Sequence, residues 1–119
     1  MKPTRLFRTM QYLAQRNLLE VKYTDEAPCL KHTIETLELA GALVLREAFS
    51  TRRGTSDVVV CYKGRFIAFE CKSATGELSE QQIRFIEKVR AAGGIGVEVQ
   101  CMLDVIRALA AFEDSDDEQ

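Results

Sequence analysis

Gly-Thr-Ser-Asp-Val-Val-Val-Cys-Tyr-Lys-Gly-Arg-Phe-Ile-Ala-Phe-Glu-Cys-Lys, residues 54–72, is the stretch on which the fold turns. It holds two apolar runs, 56–62 and 65–71, too short and too β-branched for helices, on either side of Lys63-Gly64. A two-residue turn there makes a β-hairpin and fixes its register, pairing residues whose numbers add to 127. Asp57 then stands opposite Glu70. Val59, Cys61, Phe66 and Ala68 point to one face, and Val58, Val60, Tyr62, Ile67 and Phe69 to the other. A hairpin apolar on both faces needs cover on both, which predicts an α/β sandwich.

The flanking segments supply that cover. Residues 4–19 place Leu6, Phe7, Met10, Leu13 and Ala14 at helical spacing. A second helix is predicted over 25–40, with Leu30, Ile34 and Leu37 on one side, Pro28 near its start and Gly41 as its stop. Residues 42–47 read as a strand. Ser79 is a good N-cap for a helix over 79–92, which Gly93-Gly94 ends. A strand over 95–101 and a helix over 104–112 complete the order α-α-β-β-β-α-β-α, with no internal repeat.

A chain of 119 residues is expected to form one domain, and 46% hydrophobic content is enough for a buried core. No apolar run approaches the roughly 18 residues that cross a bilayer. The basic start is not followed by the apolar run of a secretory signal. Cys29, Cys61, Cys71 and Cys101 form no CxxC pair, so they are expected to be reduced thiols in a cytoplasmic protein rather than a zinc site.

The net charge of −2 conceals a segregation. Residues 113–119 carry five acids and no base, and without them 16 basic side chains face 13 acidic ones. The first 22 residues carry Lys2, Arg5, Arg8, Arg16 and Lys22 against Glu20 alone. The expected organisation is a basic helical arm over 1–24, a core over 25–112 and an acidic, disordered tail over 113–119.

Asp57 and Glu70, directly opposed, would repel unless neutralised. A divalent cation such as Mg²⁺ favours carboxylate and carbonyl oxygens, and the backbone carbonyl of Cys71 offers a third protein ligand. Lys72 shares the face of Glu70 and would orient an attacking water and help it lose a proton. That set suits phosphodiester hydrolysis. The plain alternative is a lysine pairing with an acid at a strand end. Against it, Glu70 ends the apolar run Phe66-Ile67-Ala68-Phe69, where a carboxylate is costly without a partner or a metal.

The series Gly54-x-Ser56-Asp57-Val58-Val59, then Gly64 through Lys72, then Leu78-Ser79-x-x-Gln82-x-x-Phe85 and Gly93-Gly94 resembles the VRR-NUC family. These are virus-type replication-repair nucleases of the PD-(D/E)XK superfamily, and the likeness covers about residues 26–110. The resemblance implies a restriction-endonuclease-like core, α-β-β-β-α-β, preceded here by an extra N-terminal helix. It implies that Asp57 and Glu70 hold Mg²⁺ or Mn²⁺, that Lys72 is the catalytic lysine, and that Gln82 supports the site or touches the phosphate. The family's further Glu on the first core helix answers best to Glu26, one residue out of register and beside Pro28.

Arg46 matches an Arg on the family's first strand and is a candidate for phosphate or for the surroundings of the site. Arg52 and Arg53, beside it, can neutralise DNA phosphates, and Gly54 suits a loop that approaches metal and DNA closely. His32, alone on the polar side of its helix, reads as structural or surface. For the basic arm three roles are open: a longer DNA footprint, a contact with a partner subunit, or docking on its own domain.

Short members of the family resemble Holliday-junction resolvases. The expected function is therefore a homodimeric endonuclease for branched DNA, in a cytoplasmic setting consistent with a phage or prophage source. A sequence-specific restriction-type nuclease is the second reading, although the chain leaves little room for a base-reading subdomain. A catalytically silent DNA-binding module on the same fold is the third.

Overall fold

Lys63 and Gly64 both adopt left-handed backbone, with φ of 51° and 80°. That combination makes a two-residue turn whose twist matches its strands. It joins β2 (Asp57–Tyr62) to β3 (Arg65–Cys71). Their antiparallel register runs from Tyr62 opposite Arg65 to Asp57 opposite Glu70, the pairing the two-residue turn predicts. The structure is a computed structural model that describes residues 2–45, 57–72 and 77–113, with Asp57 described through its backbone.

Around the hairpin lie α1 (Arg5–Gln15), α2 (Glu26–Leu39), β1 (Leu43–Val44), α3 (Glu80–Ala91), β4 (Ile95–Val99) and α4 (Met102–Ala110). The strands form one open sheet in the order β1-β2-β3-β4. β1 pairs antiparallel with β2 and, with α3 as the crossover, β4 runs parallel to β3. The chain is thus a mixed α/β fold of four strands and four helices among the described residues.

Element boundaries depart from expectation at several places, and α1 stops at Gln15 rather than 19. The first strand, predicted over 42–47, is described at Leu43–Val44, with residues 46 and 47 outside the described residues, and the Leu45 amide extends its ladder by donating to the Val59 carbonyl at 2.7 Å. The last strand stops at Val99 rather than 101, and the last helix starts at Met102 rather than 104. Asp104 is the cause: its carboxylate accepts from the amides of Gln100 and Cys101, at 2.9 and 3.3 Å, so it stands inside the first turn instead of starting it.

The helices divide unequally between the faces. α1, α2 and α4 cover the back, where Leu6, Leu13, Leu37, Val58, Val60, Ile67, Phe69, Val99, Met102 and Leu109 belong to one buried cluster. α3 alone covers the front, where Val59, Ala68, Phe85 and Val89 form a smaller one. Its fit is close at β4: a Cβ on Gly96 would stand 2.6 Å from Ile86 Cγ2, so only glycine lets α3 lie this near.

Of the three roles open to the basic N-terminal helix, docking on its own domain is the one observed. Leu6 and Leu13 are buried in the back cluster, and Thr4 caps the helix by accepting from the Phe7 amide at 3.0 Å. Arg5 donates from Nε to the Leu39 carbonyl at 2.8 Å, an acceptor that the end of α2 leaves open, and from Nη2 at 3.4 Å to the Glu38 carbonyl, which also accepts from the Gly41 amide at 3.1 Å. No helix among the described residues is long and apolar enough to cross a membrane.

Candidate active site

At the front margin of the sheet the strand ladders set three acidic positions side by side in register. The hairpin sets Asp57 beside Glu70, and the parallel ladder sets Glu70 beside Glu98. Residues paired across neighbouring strands send their side chains to the same face. The Lys72 amide donates to the Val99 carbonyl at 2.9 Å, which carries the β3–β4 ladder past its last paired residues and brings Lys72 alongside the end of β4.

Glu70 is 0% exposed, and both of its carboxylate oxygens are shut off from solvent. Burial strengthens every electrostatic interaction it makes, because little water remains to screen it. Lys72 lies nearer the surface, with 24% of its side chain exposed and Nζ 3.9 Å from Glu98 Oε2. Glu98 is the most open of these groups, its side chain 48% exposed.

Between the two charged residues, Cys71 turns the other way. Its thiol enters the back core beside Thr33, whose hydroxyl is 3.8 Å away. Bonding to the Cys29 thiol, then burial, push the Cys71 thiol up, while the same bond lowers Cys29. Cys29, Cys61, Cys71 and Cys101 are all free, as expected of reduced thiols.

Gln82 is neither exposed nor free to reach outward. It is 1% exposed, and its Oε1 accepts from the Ser79 amide at 2.8 Å while Ser79 Oγ accepts from the Gln82 amide at 3.1 Å. This reciprocal capping box begins α3. On the buried stripe of α3, Val89 lies over Gly94 and Ile86 over Gly96, so one turn earlier Gln82 faces the sheet toward the level of Glu98. It is a buried capping residue on the front face.

Glu26 opens α2, in the back layer, whereas Glu70 faces the front. Arg46, Arg52, Arg53 and Gly54, along with the side chain of Asp57 and residues 114–119 of the acidic tail, lie outside the described residues. His32 is structural: its Nδ1 is hydrogen-bonded to the Tyr23 hydroxyl.

Glu98 is the residue that sequence reasoning missed. A hairpin register follows from its turn, but the offset of a parallel pair depends on how far the crossover helix carries the chain. Among the described residues, no group of three or more His, Cys, Asp or Glu side chains is arranged to hold a metal ion. No family model, no curated protein and no solved structure matches the chain.

Proposed function

We propose that this chain is a Mg²⁺- or Mn²⁺-dependent DNA endonuclease with a PD-(D/E)XK-type core, acting as a homodimer on branched DNA. The observation that carries the reading is the register pairing Asp57 with Glu70, with Lys72 two residues further along the same strand face. The donor set fits a hard divalent cation, since two paired carboxylate positions and the Cys71 carbonyl offer oxygen alone. When bound, such an ion would polarise the scissile phosphate and make water a better nucleophile.

The chain's own residues then have separable tasks. Asp57 and Glu70 supply the negative charge, Glu70 from a dry position where that charge acts strongly. Lys72, partly exposed and directed to the same rim, can hold the attacking water and receive hydrogen bonds from nothing, only donate them. Water adds to phosphorus, one P–O ester bond breaks, and the departing oxygen takes up a proton. Two such sites related by a dyad would allow symmetric cuts across a four-way junction.

The test is a cleavage panel of four-way junctions, nicked duplexes and linear duplexes with Mg²⁺ or Mn²⁺. Parent protein is expected to cut the junction, and Asp57→Ala or Lys72→Ala to lose about a hundredfold or more in rate. Chelation should abolish cutting. Failure of the parent to cut would overturn the proposal and leave a silent DNA-binding module; variants that cut equally well would overturn the assigned site; cuts fixed by base sequence would indicate a restriction-type enzyme.

A further inference from the structure

We infer that Glu98 is a positioning residue that holds the Lys72 ammonium at the edge of the Asp57–Glu70 pair. The inference deepens the nuclease reading and relies on it for its catalytic consequence. Two observations converge on Glu98. The β3–β4 ladder makes it the lateral neighbour of Glu70, and its Oε2 is 3.9 Å from Lys72 Nζ.

The charges explain why such a residue is needed. Lysine carries a compact charge on a four-carbon stem with many rotamers, so backbone placement alone does not fix its ammonium. A divalent cation beside Glu70 would also repel that ammonium. Glu98 opposes this on the β4 side, away from Asp57, and draws Lys72 along the acid row without occupying the position between Asp57 and Glu70. The cation with its two carboxylates, and Lys72 with Glu98, would then each be neutral.

Because both side chains are partly exposed, their attraction contributes little to folding. Its effect falls on where the ammonium stands. A merely structural surface pair would leave turnover unchanged, and a direct metal ligand would chiefly govern metal affinity.

The decisive variant is Glu98→Gln in the full chain, with Glu98→Asp as the charge-conserving control. Crystal structures of parent and Glu98→Gln with Mn²⁺ should show Lys72 Nζ ordered on the β4 side in the parent and displaced in the variant. Glu98→Gln should lower kcat about tenfold, with KM for junction DNA and the calorimetric affinity for Mn²⁺ held within about twofold. Glu98→Asp should recover most of kcat, and both variants should melt with the parent. An unmoved Lys72, an unchanged kcat, or a loss of Mn²⁺ affinity beyond about tenfold would each overturn the inference. A parent that cuts nothing would instead sink the nuclease reading, and the position of Lys72 in the two crystal structures would still decide the pairing.

Discussion

On the back of the sheet, three helices close over β1 to β4; on the front, α3 works alone. Among the described residues the back cluster holds sixteen buried members and the front cluster four, so most of the apolar burial that favours folding lies behind the sheet. The front is thinly covered, and its strand ends carry Glu70, Lys72 and Glu98 where the back carries Phe69, Cys71 and Val99. A domain anchored on one face can place charge at the margin of the other, which an evenly divided core could not do as cheaply.

This asymmetry can be broken by substitution. Phe69→Ala, in the middle of the back cluster, should cost about 3–5 kcal/mol in urea unfolding. Its front-face counterpart, Val89→Ala, should cost roughly half of that or less. Equal losses would mean that the two clusters share the burden.

Gly96→Ala sharpens the contrast at the point where α3 lies closest. Its new Cβ would press on Ile86, which has α3 backbone behind it, and the expected loss is about 1–3 kcal/mol. A neutral Gly96→Ala would show that α3 shifts easily, and that the front layer is looser still.

The smallest effect belongs to pH. Burial first, then the nearby Cys29, Cys71 and Cys101, push the Tyr23 phenol up to about 12 from the usual 10.0. The folded chain therefore holds this proton more tightly than the unfolded chain. The associated stability is fully present below pH about 10 and drains away as pH rises toward 12. Unfolding followed across that window should decline less steeply for Tyr23→Phe than for the parent; identical slopes would remove Tyr23 as the cause.

What the sequence made legible was local or governed by short turns. Lys63-Gly64 dictated six strand pairs, including the register of Asp57 opposite Glu70. Ser79 marked the start of α3 through a side chain that caps its own neighbourhood. Less legible were features set by distant packing. Glu98 meets Lys72 only because α3 returns the chain at a particular offset, and Gln82 is buried only because its helix presses that stripe onto the sheet. The basic charges of α1 left its role open among three, whereas the apolar side of the same helix decided its place.

The clasp of Arg5 on the last carbonyls of α2 has a practical consequence for anyone seeking a minimal folded fragment. Trimming the chain to begin at the second helix would uncap that helix and strip Leu6 and Leu13 from the back cluster in one stroke. The shortened polypeptide should express poorly and be digested readily by proteases, even with every residue of the acid row intact.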